Sequence, residues 1–170
     1  VIMTPGGFCY LDSYQGAPTT QPEAIGGYLT LEKVYSYDPI PEVLTKEGAD
    51  YIQGVQANVW AEYITTAEHM EYMVYPRLLA LAEVAWTQPD KKDWALFLKG
   101  MDRYNEHLAE KGIVYARSMY NIQHKVTPEN GVLQVKLECI RPDVEIRYTV
   151  DGSEPTASSS LYTDSLTVTA

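Results

Sequence analysis

Cysteine is scarce: Cys9 and Cys139 are the two in 170 residues, far apart, and no C-x-x-C occurs. That leaves no disulfide framework and no redox or zinc motif, so neither a metal nor a cofactor is called for. Positive charge is scarce as well. The 13 Lys and Arg face 23 Asp and Glu, a net charge of −10, which argues against nucleic acid and an anionic membrane surface as partners. No run is long and apolar enough to span a membrane. Phe is nearly missing, with 2 copies, whereas Tyr has 14. Tyr offers a stacking face and a polar tip, which suits polar ligands, although many such residues are simply half-buried. No signal peptide is visible, and the sequence opens on Val1 rather than Met. It reads as a piece of a longer protein whose destination this segment does not reveal.

What is present is ordinary for a globular chain: 45% apolar and 21% charged residues. The length allows one domain or two small ones. The most informative stretch is 54–86, GVQANVWAEYITTAEHMEYMVYPRLLALAEVAW. It opens as a strand, breaks at 61–66 and continues as a buried helix over 67–86. Strand, turn, helix is a βα unit, and such units carry their chemistry where the strand ends. Trp60 and Glu62 stand there. An indole face packs on the apolar face of a pyranose and a carboxylate accepts from hydroxyls; a core Trp with a solvated Glu is the alternative. Pro76 falls inside the helical run and predicts a kink or a restart. Arg77 and Glu83, charged in an apolar setting, predict structural ion pairs. A lone His69 makes a poor metal site and is placed at the surface or at a helix end.

Ahead of that stretch, residues 1–4 predict an interrupted strand and 8–12 an irregular exit, with Gly6-Gly7 allowing a sharp turn. Tyr10 and Asp12, two apart, face one side on extended backbone and make a hydroxyl-binding pair. The competing reading puts Tyr10 in the core and Asp12 at a turn cap. Residues 13–30 form a long Gly/Pro/Thr/Gln-rich loop, the kind that often serves as a lid. A short helix is expected over 31–37 with Thr30 as N-cap, a helical turn over 41–47 ended by Gly48, and a second strand over 51–59. Residues 90–111 predict an amphipathic helix with Trp94, Phe97, Leu98, Met101, Tyr104 and Leu108 on its apolar face, stopped by Gly112.

From about residue 120 the pattern shifts to short alternating runs, 132–137 and 144–150. They are separated by turn signals at 128–131, 141–143 and 151–152, the last an Asp-Gly that favours a tight hairpin. A further strand is expected over 165–169. Strands at this spacing indicate a β-sandwich, and about 50 residues is thin for a complete one.

Three stretches, VIMTPGGFCYLD, GGYLTLEKVYSYDPIP and the 54–86 run with its W-x-E and Y-P-R-x-x-A-x-A-E, resemble the end of the catalytic domain of family 20 glycoside hydrolases, the β-N-acetylhexosaminidases. EIRYTVDGSEPTASSSLYTDSLTV resembles the small Ig-like domain that follows many bacterial members. The resemblance implies an α/β fold: the C-terminal portion of a (β/α)8 TIM barrel over 1–117, then an incomplete all-β Ig-like sandwich over 118–170. Residues 1–10 would be the seventh strand and 52–60 the eighth. It implies a catalytic Tyr10, bonding the carbonyl of the substrate's 2-acetamido group, and substrate-binding Asp12, Trp60 and Glu62. The partners implied are an N-acetylhexosamine-containing glycan and the upstream remainder of the barrel, with no metal or cofactor. The parent is expected to be secreted, periplasmic or at the cell surface. Hydrolysis would be retaining and substrate-assisted, an exception to the usual protein carboxylate pair. The family's H-x-G-G-D-E segment and early-barrel Arg are absent from these residues, and Ile25 stands where many relatives have Trp. A non-catalytic carbohydrate-binding or domain-docking module is the alternative, and a purely structural β tail a third.

Overall fold

β1 (Ile2–Met3) and β2 (Gly54–Val55) pair in parallel, with Ile2 opposite Gly54 and Met3 opposite Val55. A parallel pair needs a long crossover, and residues 4–53 supply it. The computed structural model describes residues 1–168 and divides into two units, Val1–Ser118 and Met119–Ala170. The sheet belongs to the first.

The pairing does not run unbroken to residue 10. After β1 the chain winds into a helical turn, α1 (Gly6–Cys9), then returns to the same neighbour. Asn58 N–H donates to Cys9 O at 2.8 Å and Leu11 N–H donates to Asn58 O at 2.8 Å, closing a parallel bridge between Tyr10 and Asn58. The strands expected over 1–10 and 51–59 are thus two short contacts on either side of α1, whose first turn closes with Phe8 N–H and Cys9 N–H both on Pro5 O at 3.1 and 3.0 Å. Asn58 also donates from its side chain to Thr4 Oγ1.

α2 (Leu31–Tyr35) starts as expected, Thr30 Oγ1 accepting from Lys33 N–H at 3.1 Å. The next helix does not. α3 (Lys46–Ala49) begins after Thr45, whose hydroxyl accepts from Gly48 N–H at 3.1 Å. Gly48 lies within the helix rather than ending it, because a Thr cap outweighed the Pro signal at residue 41.

The long helical run is two helices, α4 (Ala67–Val74) and α5 (Arg77–Trp86). Pro76 has no N–H to give Tyr72 O, four residues back. That carbonyl instead accepts from Gln15 Nε2 at 2.7 Å. Met73 O accepts from the Arg77 guanidinium at 2.5 Å and Tyr75 O from Ala116 N–H at 3.1 Å. The break therefore hands orphaned helix-end carbonyls to the 13–30 loop and to Arg77. α5 packs its Ala80, Leu81 and Val84 face on α2, which contributes buried Leu31 and Val34.

α6 (Trp94–Glu110) is capped by Asp93, whose Oδ1 accepts from Leu96 N–H at 2.9 Å. It ends in a Schellman motif, Ile113 N–H to Leu108 O at 2.9 Å and Gly112 N–H to Ala109 O at 3.0 Å, with Gly112 at φ +70°. Trp94 and Phe97 pack on Tyr35 at 4.9 and 4.8 Å between ring centroids. Lys92 Nζ donates to Tyr35 O and Tyr37 O at 2.9 Å.

In the second unit, β3 (Ile122–Glu129) and β4 (Val132–Cys139) form an antiparallel hairpin from Ile122–Cys139 to Glu129–Val132. Its turn is Asn130-Gly131, both at positive φ (51° and 81°), the pattern of a type I′ turn. The expected turn over 128–131 is real but narrower, and β3 runs through Pro128, a residue that reads in sequence as a turn signal. β5 (Arg147–Tyr148) and β6 (Ser160–Leu161) pair antiparallel, and β7 (Leu166–Val168) joins β4. The strand expected over 144–150 shrinks to β5. Asp151-Gly152 is no tight hairpin: Asp151 Oδ1 accepts from Ser153 N–H and Oγ–H at 3.0 and 2.6 Å, inside a longer loop. Of the strand expected over 165–169, residue 169 lies outside the described residues.

Two glycines give opposite expectations. Gly131→Ala puts a Cβ on left-handed backbone and costs about 1 kcal/mol; Gly100→Ala, inside α6 with open space at its Cβ, stabilises by about 0.5–1 kcal/mol. Urea unfolding of both variants beside the native chain checks this; shifts of the same sign contradict it.

Candidate functional site

The bridge at Asn58 sets the ends of two segments side by side: Tyr10 to Asp12 follows α1, and Trp60 to Glu62 follows β2. Tyr10, Asp12, Ser13, Ile25, Trp60 and Glu62 line one concavity of about 430 Å³. The Tyr/Asp pair and the Trp/Glu pair, read separately from the sequence, are therefore neighbours in space. Ser13, which carries no signal in the sequence, lies on the same wall, and Ile25 brings the 13–30 loop to the rim.

The side chains differ in exposure. Trp60 is 55% and Ile25 52% exposed, while Asp12 is 4% exposed. An indole held open to water on one face of a hollow is the reverse of a core Trp. Asp12 Oδ1 is buried and has no hydrogen-bond partner among the described residues. A desolvated carboxylate oxygen without a donor is costly and calls for an explanation, such as a ligand hydroxyl.

Behind this wall sits Arg77, 0% exposed. It forms no ion pair among the described residues, contrary to the expectation from sequence. Its Nη1 donates to Ser13 O and Leu29 O, both at 2.9 Å, and its Nη2 to Leu11 O and Met73 O, both at 2.5 Å. Carbonyl dipoles rather than a carboxylate contact compensate the charge, because the helix break and the loop leave these acceptors pointing inward. Burial pushes the guanidinium down to about 9, opposed by the charge of Asp12 and then of Tyr72. It is thus positive at neutral pH. Glu83, the other charge expected in an ion pair, is half-buried on α5 and forms none among the described residues.

The loop over 13–30 is tied rather than free. Gln15 anchors it to Tyr72 O, Tyr72 Oη donates to Gln21 Oε1 at 2.9 Å, and Leu29 N–H donates to Tyr14 O at 2.8 Å. Burial raises the Tyr72 phenol, with Gln21 and Arg77 opposing. Cys9, fully buried beside Tyr10, is pushed up to about 11 by burial and stays a thiol. The signal for Gln15 and Tyr72 was in the sequence: a Pro inside a helix frees a carbonyl four residues back, which needs a donor from elsewhere.

Residues 1–89 match the family model for the glycosyl hydrolase family 20 catalytic domain, and residues 128–170 that for the chitobiase/beta-hexosaminidase C-terminal domain. A beta-hexosaminidase of Porphyromonas gingivalis is 43% identical over 175 residues, covering 96% of this chain and 21% of that protein. A beta-N-acetylhexosaminidase of Cellulomonas fimi is 38% identical over 97 residues, 55% of this chain and 19% of that one. The chain thus spans about a fifth of the length of these curated relatives. Among solved structures, the exo beta-N-acetylglucosaminidase of Vibrio harveyi in complex with N-acetylglucosamine superposes with a TM-score of 0.61 at 33% identity, covering 69% of this chain and 19% of that one. The Streptomyces plicatus beta-hexosaminidase gives 0.59 at 28% identity, covering 68% and 23%. Since the catalytic-domain model takes in residues 1–89 of 170, and the strand-end hollow lies within that span, the chain belongs to glycoside hydrolase family 20.

Proposed function

We propose that this chain is the closing part of the (β/α)8 barrel of an exo-β-N-acetylhexosaminidase, followed by an Ig-like β-sandwich, and that its concavity forms part of the pocket for the terminal sugar. One observation carries the reading: Tyr10, Asp12, Trp60 and Glu62, from two distant segments, line the same hollow. The parallel pairing of β1 with β2 across a helical connection is consistent with neighbouring barrel strands, and strand-end loops are where barrel enzymes hold substrate.

In this reading each side chain has one task. The exposed Trp60 face packs on the pyranose ring and keeps water from the anomeric centre. Asp12 and Glu62 accept from sugar hydroxyls, Asp12 with an oxygen that has no other partner among the described residues. The Tyr10 hydroxyl donates to the acetamido carbonyl oxygen. That oxygen attacks the anomeric carbon as the glycosidic bond breaks, giving an oxazolinium ion that water then opens. The proton for the leaving oxygen comes from a Glu upstream of Val1, and an Asp beside it supports the acetamido nitrogen. Holding the attacking oxygen in line is an orientation effect.

Three outcomes test this. In the full-length protein, Tyr10→Phe lowers kcat far more than it raises KM, by about 10²–10³ as for loss of one preorganised donor; a change below about threefold in steady-state assays on an aryl N-acetylglucosaminide removes Tyr10 from the chemistry. The full-length protein cleaves aryl N-acetylhexosaminides and leaves plain aryl glucosides untouched, since the latter carry no nucleophile; comparable rates on both would mean a protein carboxylate attacks. Residues 1–170 alone do not turn over such substrates, because a general acid must be aimed at the glycosidic oxygen and Asp12 and Glu62 are committed to hydroxyls; chromogenic turnover within about a hundredfold of the full-length protein places the acid inside this chain.

A further inference from the structure

The Arg77 guanidinium is the junction of three segments. Nη2 holds Leu11 O and Nη1 holds Ser13 O, so the backbone is gripped on both sides of Asp12. Nη1 also holds Leu29 O, so the start and the end of the 13–30 loop hang on the same nitrogen. Nη2 also holds Met73 O, which fixes the whole assembly to the end of α4. Every terminal N–H of the fork is thereby used in a plane that no ammonium can reproduce. As the first residue of α5 it has a side chain directed back over the preceding turn, which is where these carbonyls lie. It does not itself line the hollow, and the charge that most offsets its burial is that of Asp12.

We infer that Arg77 is a positioning residue for the sugar site, setting the place of Tyr10 and Asp12 and of the loop that brings Ile25 to the rim, an inference that rests on the reading of the hollow as a sugar pocket. A buried cation without a carboxylate contact is an expensive way to join four carbonyls if joining them is the sole purpose. What it adds is a fixed positive charge behind the buried Asp12 carboxylate, whose Oδ1 has no partner among the described residues. Loss of the fork frees the backbone on either side of Asp12, and a misplacement of about 1 Å in such a site costs on the order of 10²-fold.

The test is a double-mutant cycle in the full-length protein between Arg77→Lys and Asp12→Asn, read as kcat/KM on an aryl N-acetylglucosaminide well below the melting temperature. Arg77→Gln, which keeps two donors and drops the charge, is the second variant, and near-UV circular dichroism shows that each is folded. The expected result is a loss of about a hundredfold for Arg77→Lys in the native background and a loss roughly tenfold smaller once Asp12 is Asn, the remainder coming from Tyr10 and the loop. Hydrogen exchange across residues 10–14 and 27–29 should quicken in Arg77→Lys. Equal losses of activity in both backgrounds, or activity within threefold of native for Arg77→Lys, overturn the inference and leave the sugar-pocket reading standing. An Asp12→Asn variant with native kcat/KM overturns that reading and this inference together.

Discussion

Four carbonyl oxygens, of Leu11, Ser13, Leu29 and Met73, point into the interior of the first unit, and one guanidinium meets them all. Each buried carbonyl left without a donor costs about 1–3 kcal/mol, so no apolar residue at position 77 leaves this region intact. The rest of the site is arranged around that constraint. Pro76 stops α4, frees its last carbonyls and places Arg77 at the start of α5. Gln15 takes one freed carbonyl and Arg77 another. The 13–30 loop, long and poor in regular structure, is thereby fixed at both ends without any helix or strand of its own beyond a short 3-10 turn at Pro18–Thr20.

The second constraint is the parallel contact of the two strand ends. α1 interrupts the ladder, yet the bridge from Tyr10 to Asn58 restores it where it matters for the pocket. A continuous strand would place Tyr10 further along the edge. The helical turn takes up the extra residues and lets Tyr10 and Asp12 emerge opposite Trp60 and Glu62. Tyr10 and Asp12 thus come from backbone that is held by hydrogen bonds on both sides, at Cys9, Leu11 and Ser13.

Much of this was legible from the residues. The Trp60/Glu62 and Tyr10/Asp12 pairs stood at strand ends with residue types suited to a pyranose, and the restart at Pro76, the Thr30 cap and the Gly112 stop follow from local rules that depend on neighbours in sequence. The Arg77 and strand-length misses share one cause: partners distant in sequence. Arg77 was assigned an ion pair because a buried charge needs compensation, and whether carboxylate or carbonyl supplies it depends on how the 13–30 loop folds back. The strands over 51–59 and 144–150 are shorter than their apolar patterns suggest, since a strand extends only as far as a neighbour pairs with it. Asn130-Gly131 made the tight hairpin expected of Asp151-Gly152, because β3 and β4 are long enough to meet across it and the Asp151 carboxylate is already engaged by Ser153.

The central claim is that the hollow bounded by Tyr10, Asp12, Trp60 and Glu62 holds a terminal N-acetylhexosamine. A crystal structure of the full-length protein with bound N-acetylglucosamine tests it most directly. The account predicts the pyranose face lying on the Trp60 indole, the Tyr10 hydroxyl about 2.7 Å from the acetamido oxygen, and Asp12 Oδ1 and Glu62 each receiving a sugar hydroxyl. A sugar bound away from Trp60, or bound there with its acetamido group turned from Tyr10 and Asp12 Oδ1 still without a donor, would contradict it.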